Sequence, residues 1–116
     1  MDQALAETLT GWRRHLHANP GLTLHEGQTA AFVAEKLRAM GVEVTEGVGG
    51  HGVVGTIRRA KGGASNRSVG LRGDMDALPI QELNALLPHR STIPGVMHAC
   101  GHDGHTTALL GAAALL

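Results

Sequence analysis

Ser68-Val69-Gly70-Leu71-Arg72-Gly73-Asp74-Met75-Asp76 is the stretch that decides the fold class. Val69 and Leu71 share one side of an extended chain, the period-two pattern of a strand with one buried face. The run ends directly in two carboxylates, Asp74 and Asp76. In open α/β sheets, ligand sites lie outside the carboxyl ends of strands. Two acids at this spacing can bind a metal ion or orient a ligating imidazole from behind. A solvated turn with Asp in its usual positions reads the same locally.

Upstream, Leu5, Leu9, Trp12 and Leu16 recur at helical spacing and predict a helix over residues 3–17, stopped by Asn19-Pro20-Gly21. Ala30, Phe32, Val33, Leu37 and Met40 predict a second helix from about Gly27 to Met40, with Gly41 as its C-terminal cap. A short strand follows at Val42–Val44, the glycines of Gly47-Val48-Gly49-Gly50 turn the chain, and Val53–Ile57 forms a second strand. Lys61–Asn66 reads as a polar loop before the third strand, Ser68–Arg72. Strands Val53–Ile57 and Ser68–Arg72 are both expected to be buried. Helices before and between strands give an α/β sheet with helical cover.

Downstream, residues 77–97 hold Pro79, Pro88 and Pro94 and read as an irregular excursion. It leads into His98-Ala99-Cys100-Gly101-His102-Asp103-Gly104-His105, which holds the only cysteine and three of the eight histidines. Thiolate and imidazole are the ligands that zinc and similar divalent ions favour. In a loop, alternate side chains share a face, so Cys100 and His102 can point at one centre. A helix starting near Asp103 continues through Thr106–Leu116. Being apolar on every face, it belongs inside something larger. The expectation is therefore one domain over residues 1–116 that is a truncated piece of a larger one.

Composition narrows the partners. The chain has 42% hydrophobic and 17% charged residues, enough to build a core. Trp12 and Phe32 are its only aromatics, so that core must be aliphatic. Zero formal net charge, with no basic stripe or stacking aromatics, argues against nucleic acid. No apolar run is long enough to span a bilayer. The first residues do not read as a signal peptide, and a lone cysteine suits a reducing compartment, so the cytoplasm is the expected location. His15 and His17 read as an exposed helix end, where positive charge is favourable. Glu26 reads as a helix starter, and His25, His51 and His89 as surface loop histidines.

At these residues the sequence resembles a known metallopeptidase family, that of aminoacylases, hippurate hydrolases and auxin-conjugate amidohydrolases. The likeness begins at Arg13-Arg14-His15-Leu16-His17-Ala18-Asn19-Pro20 and continues through Glu26-Gly27-Gln28-Thr29 and Gly49-Gly50-His51-Gly52-Val53-Val54. It is clearer in Leu71-Arg72-Gly73-Asp74-Met75-Asp76-Ala77-Leu78-Pro79-Ile80 and most specific in Gly95–Thr106. Gly21 stands where the family often has an acid, Gly73 where alanine is common and His89 where an aromatic is usual.

The resemblance implies part of a three-layer α/β/α sandwich, a zinc-peptidase-like catalytic domain. It implies hydrolysis of an amide bond in a small N-acyl amino acid, using two divalent ions: zinc, manganese, cobalt or nickel. Cys100 and His102 match the family's metal ligands, and Asp76 matches the acid that supports the catalytic site. Asp74 stands where more distant exopeptidases have a ligating histidine. His98, Asp103 and His105 are implied to stand behind the ligands or to touch substrate. The family's general base, a glutamate in a pair of acids, has its place beyond Leu116. So does a smaller α+β domain, which implies a homo-dimer or homo-tetramer for the intact enzyme. The 116 residues alone are expected to be inactive.

Two rival readings remain open on the residues themselves. Cys100 could be a nucleophile with His98 or His102 as its base. Alternatively, the chain could be a non-catalytic metal-binding or interaction module.

Overall fold

The computed structural model describes residues 1–59 and 67–116. The polar loop expected at Lys61–Asn66 lies outside the described residues.

Helix α1 spans Gln3–Ala18. Asp2 caps it, its carboxylate accepting the Leu5 N–H at 2.8 Å. Asn19 and Pro20 end it, as the sequence predicts. Helix α2 spans Gly27–Ala39 and gives way to Gly41 at φ 77°, a left-handed position that suits glycine. Strands β1 (Glu43–Val48) and β2 (Gly52–Thr56) form an antiparallel hairpin, pairing Glu43 with Thr56 and Val44 with Gly55. The register shifts between Thr45 and Val48. A Cβ on Gly52 would collide there with the Val48 carbonyl, so only glycine fits. Helix α3 spans His102–Leu115.

The hairpin lies on α2, α2 touches α3, and α3 packs along α1. Val33, Leu37 and Leu110 form the centre of the core, ringed by Trp12, Phe32, Met40, Val42, Val44, Val53, Met75 and Ala113. Burying Leu16 and Leu110, at 1% and 2% exposure, contributes about 1.5–3 kcal/mol each. Gly111 lets α1 and α3 approach closely, since a Cβ there would stand 2.9 Å from Leu9 Cδ1. Among the described residues, no helix is long and apolar enough to cross a membrane.

The mixed helix and strand content agrees with the α/β expectation; two details do not. Among the described residues Ser68–Arg72 pairs with no strand, and Val69 and Leu71 are 81% and 56% exposed. The sheet of the described residues therefore has two strands, not three. An alternating pattern reports which residues can share a face, but not whether a partner strand lies alongside. The second strand is only partly buried, because Val54 faces away from α2 and is 47% exposed. Helix α3, expected to belong inside something larger, is covered on part of its surface. It buries Asp103, Thr106, Thr107, Leu110 and Gly111 and leaves Leu115 exposed.

The 77–97 segment is irregular, as expected, but pinned at both ends. Ala77 N–H donates to the Gly21 carbonyl at 2.7 Å, and Leu78 and Met97 exchange backbone hydrogen bonds at 2.9 and 3.0 Å. These contacts bring Asp74–Asp76, the Gly21–His25 bend and the start of α3 together.

Candidate metal centre

His102 opens α3 immediately after Gly101, whose φ of 85° makes the left-handed turn into the helix. Its Nδ1–H donates to Asp76, 2.9 Å from the main-chain carbonyl and 3.0 Å from Oδ1. With Nδ1 engaged in this way, Nε2 is the ring nitrogen left to face outward. Nε2 lies 3.5 Å from Asp74 Oδ2. One helical turn on, His105 Nδ1–H donates to Asp74 Oδ1 at 2.6 Å, and its ring stacks on that of His102 with centroids 5.2 Å apart. One ligand atom from each of Asp74, His102 and His105 falls within a 4.8 Å cluster. Gly73 packs closely beneath this pair, and a Cβ there would stand 3.1 Å from the His105 carbonyl oxygen.

Both aspartates are held below the usual carboxylate range. For Asp74 the main cause is the His105 hydrogen bond. For Asp76 it is the Thr23 hydroxyl, which donates to Oδ2 at 2.7 Å, with His102 adding to it. In each case burial opposes the shift without reversing it.

The structure thus brings Asp76 and His102 together. Cys100 is exposed, two residues before His102 in the loop that enters α3, and it lies outside the 4.8 Å cluster. His98 is 5% exposed, and neither of its ring nitrogens has a partner among the described residues. Burial holds it below the ordinary histidine value, in the neutral form that can ligate or accept. Imidazole, carboxylate and a nearby thiol form a donor set that fits a borderline divalent ion such as zinc.

Sequence reasoning missed Thr23, and nothing in its local context marks it as a partner of Asp76. It also misplaced His17. That ring is not at an exposed helix end but is 5% exposed, between Asp103 and Glu82. His15 does stay near the surface, stacked on Phe32 at 4.5 Å. Glu26 bonds the Leu24 N–H at 2.8 Å and makes no side-chain cap to α2.

Residues 70–116 match the model of peptidase family M20/M25/M40. The chain belongs to this family. It is 52% identical to a hippurate hydrolase of Campylobacter jejuni over 90% of this chain and 26% of that protein. It is 50% identical to an N-acyl-L-amino acid amidohydrolase of Geobacillus stearothermophilus over 88% of this chain and 26% of that one. A crystal structure of a Bacillus subtilis dinuclear metal-binding M20 peptidase superposes with a TM-score of 0.89 at 37% identity. The superposition covers 99% of this chain and 31% of that chain. The M20 catalytic fold therefore accounts for all the elements described above. The chain spans about a quarter of the length of the curated relatives it matches.

Proposed function

We propose that these residues form part of the metal centre of an M20 amidohydrolase that releases amino acids from N-acyl, hippurate-like substrates. The observation that carries this reading is the His102–Asp76 pair. With Nδ1 tied at 2.9 and 3.0 Å, His102 offers only Nε2, the arrangement of an imidazole prepared as a metal ligand. The hydrolase relatives supply the substrate class.

In this reading His102 and Cys100 hold divalent metal, two ions in the whole enzyme, and Asp76 orients His102. Zinc, manganese, cobalt and nickel all suit the donors. Such ions, when bound, polarise the amide carbonyl and activate water. The chain's own contribution is to bind and orient. Asp76 keeps the proton of His102 on Nδ1, Thr23 and His102 divide the two Asp76 oxygens between them, and His105 holds Asp74 against His102. The thiol of Cys100 must be a thiolate to ligate, so the metal would also displace its proton.

The test is metal analysis together with hydrolysis of N-benzoylglycine and N-acetyl amino acids by the protein as encoded. Cys100→Ala and His102→Ala should each lose metal and turnover. Metal bound without turnover of any such amide would favour a non-catalytic metal-binding module. Turnover that survives both substitutions would sink the reading.

A further inference from the structure

Away from the proposed ligands, the most heavily buried charged cluster among the described residues is centred on His17. Its Nδ1 lies 2.9 Å from Asp103 Oδ2, and its Nε2 lies 3.1 and 3.2 Å from the two Glu82 oxygens. His17, Asp103 and Glu82 are 5%, 1% and 8% exposed. A carboxylate can only accept. A neutral imidazole would therefore turn a nitrogen lone pair on one of two buried anions. The geometry calls for a ring that donates from both nitrogens, an imidazolium. Arg13, itself exposed, brings Nε to 3.3 Å from Asp103, so two positive groups face two negative ones.

In sequence the two anions stand on either side of the Cys100–His102 turn, Glu82 ahead of it and Asp103 directly after it. Glu82 belongs to the irregular segment that leads into the turn, and it also accepts the Ser91 N–H at 2.6 Å and Asn84 Nδ2 at 3.0 Å. Asp103 follows His102 directly. Its other oxygen accepts the Gly104 N–H at 2.9 Å and its carbonyl accepts the Thr107 hydroxyl at 2.8 Å. The Asp103 side chain is thus fixed to the first turn of α3. One ring on α1 thus ties the first turn of α3 to the irregular segment that precedes it in sequence, with directional bonds that apolar packing would not supply.

We propose that His17 is a positioning residue of the metal centre: as a doubly donating imidazolium between Asp103 and Glu82, it sets where His102 stands against Asp76. This inference rests on the reading of His102 as a ligand. It requires that His17 be protonated at both ring nitrogens and that neutralising it weaken metal binding while the fold survives.

The experiment uses the protein as encoded, metal-free and then titrated with cobalt. Ring ¹⁵N–¹H spectra at neutral pH should show His17 protonated at both nitrogens; a single neutral tautomer would overturn the proposal. His17→Gln, which keeps one donor and no charge, should weaken cobalt binding roughly tenfold, in the range for groups that orient ligands. It should also alter the visible cobalt spectrum, with helical circular dichroism retained. Wild-type affinity and spectrum in folded His17→Gln would overturn it. If His17→Gln does not fold, Glu82→Gln, which leaves the Asp103 contact in place, should give a smaller weakening, and no weakening would overturn it. His102→Ala separates the two readings. If it binds cobalt like the wild type, the ligand assignment itself fails; if it loses cobalt while folded His17→Gln keeps it, only the role of His17 fails.

Discussion

The Thr23 hydroxyl stands 2.7 Å from Oδ2 of Asp76, on the carboxylate whose other oxygen receives His102 Nδ1–H at 3.0 Å. Asp76 is therefore oriented from both sides. The bend that delivers Thr23 continues into Leu24, at φ 67° the one non-glycine residue with positive φ among the described residues. Such a conformation costs about 1–2 kcal/mol in an L-residue. The Leu24 N–H, bonded to Glu26 at 2.8 Å, helps hold it. Gly21 completes the bend, since a Cβ there would stand 2.7 Å from the His25 carbonyl oxygen.

Thr23→Val keeps the shape and removes the hydroxyl. It is expected to free Asp76 to rotate and to lower metal affinity at His102 roughly tenfold, as for other groups that orient ligands. Isothermal titration with zinc, on protein whose circular dichroism matches the wild type, measures this. An unchanged affinity would show that His102 alone is enough to hold Asp76.

Acid should weaken the fold through Glu82. Burial opposes its charge, but the hydrogen bonds from Asn84 and Ser91 and the contact with His17 outweigh it. Together they take its pKa from 4.5 down to about 2. A carboxyl with a depressed folded pKa contributes stability that is present above 4.5 and lost as pH falls towards about 2. Urea midpoints measured across that window should fall steadily in the wild type and more shallowly in Glu82→Gln. Parallel curves would assign the acid sensitivity to other groups.

The helices, the hairpin and the pairing of Asp76 with His102 were legible because each rests on local pattern or on two strong motifs. Leu5, Leu9, Trp12 and Leu16 mark α1 by their spacing alone. Gly47–Gly50 mark the turn, three of the four having positive φ. The rest depended on distant partners. His17 looks like a basic helix end until Asp103 and Glu82, 86 and 65 residues away, close on it. Val69 and Leu71 look like a buried strand, yet no strand of the described residues lies beside them. Local sequence carries periodicity and turn chemistry; it does not carry the identity of a neighbour brought in by the fold.

Leu110 tests the packing that supports the centre. It is 2% exposed on α3, against Val33 and Leu37 of α2. Leu110→Ala should cost about 2–5 kcal/mol, the range for a large-to-small change that leaves a cavity. Chemical denaturation reads the loss directly. A cost below about 1 kcal/mol would mean that α3 settles into the space and that the helix is less firmly seated than its burial implies.

Residues 1–116 in isolation are expected to bind divalent metal weakly and to hydrolyse nothing. Asp74, His102 and His105 supply three donors, the minimum for one catalytic ion, and Cys100 is the further ligand proposed above. A two-ion site needs further ligands. A general base must also be free to take a proton. Asp76 is bonded to Thr23 and His102, Asp74 to His105 at 2.6 Å, and Glu82 is buried against His17. None of these carboxylates is left over for that task. The assay follows release of free amino acid from N-benzoylglycine and N-acetyl amino acids with excess zinc, manganese or cobalt. The expected result is the rate of buffer plus metal. Turnover above that rate, abolished by Cys100→Ala, would mean that these residues hold a complete active site. One of the engaged carboxylates would then have to exchange its histidine or threonine partner for the reacting water.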